Sequence, residues 1–323
     1  MQLEVPGQPL VARRLADPEP GAGEVRLRVE ACGVCRTDLH VVDGELPGAM
    51  LPLIPGHEVV GWVDRLGADV AGLAIGQRVG VAWLGSTCGH CRYCRSGREN
   101  LCDTARFTGY TRPGGFASHI VARAAFCIPL GTADPVATAP LLCAGLIGWR
   151  ALVRAGDAPT IGIYGFGAAG HLLAQVALRQ GRRVLAFTRP HDLAAQDFAC
   201  GLGVAWAGDS DAPSPEPLDA AVIFAPAGEL VPRAMRAVRK GRRVVCAGIH
   251  MSDIPSMPYR WLWEERELVS VTNLTRADAF AYFEAVAGMH LHATIRHYRL
   301  EEANLALDDL RRGRFQGAAV LVP

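Results

Sequence analysis

The sequence predicts an α/β protein in two parts: a mostly-β N-terminal part, then a doubly wound parallel sheet covered by helices. Three observations carry this. Short alternating runs punctuated by Gly and Pro fill the chain up to about Cys143, apolar strands alternate with helical stretches after it, and a glycine-rich turn joins the first two of those strands. With 323 residues, 50% of them hydrophobic, the chain can bury a large core and is long enough for about two domains.

In the first part, Val25-Arg26-Leu27-Arg28-Val29 alternates apolar and charged side chains, so one face meets a core and the other meets water. Together with Val59 to Leu66 it reads as antiparallel strand of a barrel-like domain. In the second part the expected strands are Thr160 to Tyr164, Val184 to Phe187, Ala220 to Phe224 and Arg243 to Ala247. Gly165-Phe166-Gly167-Ala168-Ala169-Gly170 follows the first of them and runs into His171 to Ala177, a good helix. Gly208 to Pro217, rich in Asp, Ser and Pro, reads as an exposed loop.

Glycine is common here, with 36 in the chain, so a lone G-x-G-x-x-G says little. Its setting says more, because a strand precedes it, a helix follows, and a second strand comes at the distance a dinucleotide site needs. Glycines at 165, 167 and 170 let the backbone turn sharply and approach a pyrophosphate, whose charge then sits at the helix N-terminus. The competing reading is a turn that merely packs helix on sheet.

Cys88, Cys91, Cys94 and Cys102 form C-x2-C-x2-C-x7-C, a spacing that lets one short loop surround a tetrahedral ion. Four unrelated core or disulfide cysteines would have to produce it by accident. Gly89, Gly97 and Asn100 break any periodicity, and Arg92, Arg95, Arg98 and Glu99 are expected to keep the loop in water. Four thiolates leave no place for a substrate, so the set is structural, and an open metal site has to be sought elsewhere. Three segments offer ligands: Cys32 to His40, with Cys35, Thr37, Asp38 and His40 close together; Pro55 to Gly61, with His57 and Glu58; and Leu141 to Gly145, with Cys143.

Together these motifs resemble the zinc-containing alcohol dehydrogenases of the medium-chain dehydrogenase/reductase superfamily. The resemblance covers nearly the whole chain and includes Gly56-His57-Glu58-x-x-Gly61 followed by Gly67. It implies that Cys35, His57 and Cys143 hold a catalytic zinc with Glu58 close behind it, that Asp38 orients the ligand histidine, and that Cys88, Cys91, Cys94 and Cys102 hold a second, structural zinc. It further implies a proton relay through Thr37 and His40, pyrophosphate contact by Arg36, a second pyrophosphate or ribose contact by Arg276, and a substrate pocket narrowed by Trp83. A tryptophan beside a strand is equally a core residue. Cys32, Cys127, Cys200 and Cys246 match no ligand position and read as ordinary buried thiols.

The fold so implied is a Rossmann doubly wound parallel sheet plus a GroES-like mostly-β catalytic domain. Expected boundaries are 1–143 for the GroES-like domain, with a C-terminal return over 274–323, and 144–273 for the Rossmann domain. Cofactor choice falls at the end of the second strand of that sheet, where an acid favours NAD and an arginine accommodates the 2′-phosphate of NADP. Thr188 and Arg189 occupy that position, so NADP is favoured over NAD, unless Arg189 simply points into solvent. Asp192 would serve NAD only if the loop rearranged.

The expected reaction is reversible hydride transfer between a primary or simple secondary alcohol and the nicotinamide. Two alternatives stand: an NADPH-dependent zinc aldehyde or enal reductase, and a catalytically silent zinc-binding structural or binding protein. The presence of both Thr37 and His40 argues against the last. A net charge of +1 gives no field for nucleic acid or an anionic membrane. The short basic clusters lack interleaved aromatics. Met1 to Gly23 does not read as a secretory signal, and Val136 to Trp149 is too short to span a bilayer, which needs about 20 residues. The expectation is a cytoplasmic homo-oligomer, dimer or tetramer, acting on a small molecule.

Overall fold

A computed structural model of the chain describes residues 1–289, 291, 293–315 and 317–323. Contacts gather into two compact units: Met1–Cys143 with Asn273–Glu284 and Ala293–Pro323, and Ala144–Thr272 with Ala285–His292.

The first unit is built on a seven-stranded sheet. Its order is Ile295–Arg299, Ala318–Val322, Glu24–Val34, Glu58–Leu66, Arg78–Val81, Cys127–Pro129, and His119–Arg123 pairs with Glu24–Val34 off this path. Only the Ile295–Arg299 and Ala318–Val322 pair is parallel. Val25, Leu27 and Val29 face the core as the alternation predicts. From Ala31 to Val34 every residue is buried, so alternation ends because both faces are covered, and the strand runs further than its alternating part. That extension sets Gly33 opposite Glu58 and delivers Cys35 just beyond the strand end. The core of this unit includes Leu3, Leu27, Leu53, Phe116 and Ile120, all nearly or fully buried.

The second unit holds a six-stranded sheet, ordered Trp206–Asp209, Arg183–Thr188, Thr160–Tyr164, Leu218–Ile223, Val238–Cys246, Glu267–Ser270, all parallel. Numbered along the chain this is 3-2-1-4-5-6, the doubly wound order of dinucleotide-binding sheets. Tyr164 stacks on Phe187 with centroids 4.1 Å apart at the centre of the second core. Thr160–Tyr164 matches its expected limits, and its neighbours differ by a few residues.

The two outermost strands were not legible. Trp206–Asp209 takes in the first residues of the expected loop Gly208 to Pro217, and Glu267–Ser270 is half-exposed. Edge strands are covered on fewer sides and so lack the apolar run that marks a central one. Among the described residues no single helix is long and apolar enough to cross a membrane.

Candidate metal and dinucleotide sites

Cys35 is the N-cap of the helix Arg36–Val42. Its Sγ accepts from the Thr37 backbone N–H at 3.3 Å, and its own N–H donates to Asp38 Oδ2 at 2.9 Å, so the helix start holds both side chains in a reciprocal capping box. The other Asp38 oxygen accepts from His57 Nδ1 at 3.0 Å and from the Gly56 N–H at 3.3 Å. Since a carboxylate only accepts here, Nδ1 carries the proton and Nε2 is turned toward Cys35 Sγ, 3.5 Å away. Cys143 Sγ lies 3.8 Å from Cys35 Sγ, just after the turn Ala139–Leu142. The donor atoms of Cys35, His57, Glu58 and Cys143 all lie within 4.8 Å of one another.

The electrostatics suit a cation. Burial alone would push His57 down, but the charges of Asp38 and Cys35 hold it well above its ordinary value. The hydrogen bond between the two thiols holds Cys35 well below the usual range and Cys143 well above it. Glu58 is raised by burial and by the Cys35 charge.

Room for Glu58 comes from Gly33, a residue the motif reading passed over. A Cβ there would come within 2.7 Å of the Glu58 carboxyl carbon. Trp83 packs its ring edge-on to His57 with centroids 5.0 Å apart, and stacks on Phe107 and Tyr110 at 5.3 and 5.6 Å. The two further aromatics come from a separate stretch of chain, and no local spacing announces them.

Cys88, Cys91, Cys94 and Cys102 also bring their sulfurs within 4.8 Å of one another. Backbone N–H groups point at them, from Cys88 to Cys102 Sγ, Cys91 to Cys88 Sγ and Cys94 to Cys91 Sγ at 3.3 to 3.5 Å. Backbone N–H donors, His90 first and then Cys91, pull the Cys88 thiol down to about 6. The loop is more regular than expected, because Cys91 caps one helical turn, Arg92–Arg95. Glu99 is also not in water. It is 7% exposed and accepts from the Arg276 backbone N–H at 2.8 Å and from its Nε and Nη2 at 3.0 and 2.7 Å. This corrects the expectation for Glu99, which holds the start of the helix Arg276–Ala285, while Arg276 is engaged by Glu99 and stacked over Phe126.

In the second unit the three glycines have different reasons to be glycine. Gly165 has φ +94°, and a Cβ there would meet the Ala225 N at 2.8 Å. At Gly170 a Cβ would lie 2.5 Å from the Gly165 oxygen. Gly167 is exposed, has φ −83°, and a Cβ would meet nothing within 4 Å. Nothing inside the chain requires glycine at 167; a backbone approached closely from outside does, as a pyrophosphate on this turn would approach it. The helix Ala168–Arg179 that follows has no side-chain cap, which leaves its first N–H groups for such an anion.

At the end of the second strand Thr188 is buried, its hydroxyl donating to backbone carbonyls and accepting from Gln196 Nε2 at 3.1 Å. Arg189 is exposed. Asp192 caps the helix Leu193–Gly201 through the Ala195 N–H. Asp209, on the adjacent strand, accepts from the His191 N–H and from Gln196. Arg36 is exposed on the first turn of its helix; Thr37 and His40 follow one turn apart, with His40 Nδ1 bonded to the Glu45 carboxylate. Of the four remaining thiols, Cys32 and Cys127 are buried, Cys246 is half-buried, and Cys200 is exposed, against expectation.

A dinucleotide turn on a parallel sheet, with two cysteine-rich donor sets in the other unit, defines a zinc-type, nicotinamide-dependent oxidoreductase. Residues 21–132 match the model of the alcohol dehydrogenase GroES-like domain. The protein named “Probable alcohol dehydrogenase AdhA” of Mycobacterium tuberculosis (strain CDC 1551 / Oshkosh) is 47% identical over 315 residues, covering 94% of this chain and 90% of that one. The cobalt- and zinc-bound thermostable alcohol dehydrogenase of Pyrobaculum aerophilum superposes with a TM-score of 0.90 at 26% identity, over 100% of this chain and 98% of that one. A Sinorhizobium meliloti 1021 structure with NADP bound gives 0.87 at 26% identity, over the same shares. The chain belongs to the zinc-containing alcohol dehydrogenases of the medium-chain dehydrogenase/reductase superfamily.

The Glu99 and Arg276 pair has a pH signature. Burial alone would raise the Glu99 carboxyl, but the Arg276 contacts hold it below its ordinary 4.5. Its stabilisation is therefore fully present above 4.5 and is lost as pH falls through the lower folded value. Because the Arg276 side chain is 41% exposed, Glu99→Gln is expected to cost only about 1 kcal/mol at pH 7. Urea unfolding should show the gap between variant and wild type closing on the acid side; an equal gap at pH 7 and pH 3 would count against the ion pair.

Proposed function

We propose that the chain catalyses the reversible oxidation of a primary or simple secondary alcohol, with one zinc held by Cys35, His57 and Cys143, a second by Cys88, Cys91, Cys94 and Cys102, and NADP preferred to NAD. We place it in the cytoplasm as a dimer or tetramer, where a reducing environment keeps the six ligand thiols available. The observation that carries this reading is the convergence of two half-buried thiols and a buried imidazole in one cluster, with Asp38 holding two of the three donors in place.

When bound, zinc supplies Lewis acidity to a substrate oxygen and the nicotinamide supplies a two-electron acceptor or donor. The chain's own side chains do the remaining work. Asp38 keeps the proton of His57 on Nδ1, so Nε2 offers its lone pair to the metal. The Thr37 hydroxyl, largely buried, accepts the proton of the substrate hydroxyl on its oxygen as it releases its own outward, and His40, backed by exposed Glu45, takes up a proton on its ring and releases one to solvent. Trp83, Phe107 and Tyr110 form an apolar aromatic wall beside His57 that favours a hydrocarbon-bearing alcohol over a charged one.

Metal analysis tests the whole reading. The purified protein is expected to carry about two zinc ions per chain, and a mild chelator should take the one at the three-ligand site first, abolishing turnover while leaving the melting transition in place. Full activity with one metal or none would overturn it. For the relay, Thr37→Ser should be mild, and Thr37→Val should lose about 10²-fold in turnover at saturating cofactor and alcohol. Equal turnover in the two variants rules the relay out and leaves the zinc assignment standing.

NADP preference rests on Arg189, the one exposed side chain of the pair, with Thr188 turned inward and Asp192 engaged in capping. Arg189→Ala is expected to weaken NADPH binding by about 1 to 3 kcal/mol and leave NADH nearly unchanged. A wild type that prefers NADH, with neither affinity altered in Arg189→Ala, contradicts this.

A further inference from the structure

We propose that His171 is a positioning residue for the glycine turn: its side chain locks the peptide between Gly167 and Ala168 so that the Ala168 N–H faces the dinucleotide. The proposal rests on the dinucleotide reading of that turn.

His171 stands four residues beyond Gly167 in the helix Ala168–Arg179 and is 1% exposed. The Gly167 carbonyl accepts twice from this one residue, from its backbone N–H at 3.0 Å and from its ring Nδ1 at 3.1 Å. A carbonyl oxygen only accepts, so Nδ1 carries the proton. The peptide unit is planar and trans, with its C=O and N–H pointing in opposite directions. Two donors that hold the Gly167 oxygen along the helix therefore hold the Ala168 N–H outward, where the first free donors of the helix meet an anion. No side chain caps this helix, and at Gly167 the chain has no Cβ to steady the turn.

The other ring nitrogen shows that the arrangement is not there for packing. Nε2 is fully buried and has no partner among the described residues, and the ring lies edge-on to Phe198 with centroids 5.5 Å apart. Burial depresses the imidazole to about 4, so the ring is neutral at working pH. An unpaired buried acceptor is destabilising, and an apolar side chain of similar size would suit the same space better. What an apolar side chain lacks is the Nδ1–H. One turn further on, Gln175 Nε2 donates to the His171 carbonyl at 3.3 Å, which shows that a glutamine on this helix reaches the carbonyl four residues back.

The test compares wild type, His171→Leu and His171→Gln in the full zinc-loaded chain, by NADPH titration followed through nicotinamide fluorescence and by thermal melting without cofactor. His171→Leu is expected to melt at the same temperature or roughly 2 °C higher, yet to bind NADPH roughly three- to tenfold more weakly, the worth of one hydrogen bond. His171→Gln restores the donor and should bind within about twofold of wild type. The inference is overturned if His171→Leu binds as wild type does, if its affinity and melting temperature fall together, or if His171→Gln binds as weakly as His171→Leu. A wild type that binds neither NADPH nor NADH overturns the dinucleotide reading itself, and this inference with it.

Discussion

The first unit depends on one buried carboxylate. Asp38 is fully buried and accepts from the Cys35 N–H, the Gly56 N–H and His57 Nδ1, so it joins the end of one strand to the start of its neighbour. The sheet makes the same join, pairing Gly33 with Glu58. Around it the chain collects acidic groups, Glu58, Cys35 and Cys143, against the single imidazole of His57. Burying so much potential negative charge is costly unless a cation shares the site. The raised Glu58, Cys143 and His57 are the response of the chain alone to that excess, and a divalent cation answers it more completely.

What could be read from the sequence was whatever depends on neighbours along the chain. Cys35 and Asp38 lie within one capping box, and the four-cysteine loop closes on itself, so spacing alone announces them. Thr160–Tyr164 and the turn after it are equally local, because a central parallel strand is apolar on both faces. The features that escaped notice are all set by distant partners. Gly33 is explained only by Glu58 across the sheet, Glu99 only by Arg276, 177 residues away, and the Trp83 cluster only by Phe107 and Tyr110 from a later loop. The two edge strands lack an apolar signature for a related reason, since each has a neighbour on one side alone.

Glycine shows how much a geometric reason adds to a motif. In the G-x-G-x-x-G segment, Gly165 and Gly170 are demanded by the protein's own packing and would be needed in any turn of this shape. The motif by itself cannot distinguish such a turn from a ligand cradle. Gly167 makes the distinction, because its backbone angles are ordinary and the space a Cβ would fill is open. A residue kept small without internal cause leaves room for something from outside.

The closed cysteine set bears on the fold through its far end. Its sulfurs are held by backbone N–H groups and one helical turn, and between Cys94 and Cys102 the loop carries Glu99 and Asn100, whose carboxylate and carbonyl accept from Arg276 and Asn273. This tie sets where the Arg276 guanidinium sits. Its Nε and Nη2 bond a carboxylate that is 9% exposed. Without the guanidinium that carboxylate would stand buried without its partner. The same residue type thus stands in two settings in the two units: Arg276 is fixed in place by a buried acid, whereas Arg189 is exposed at a strand end.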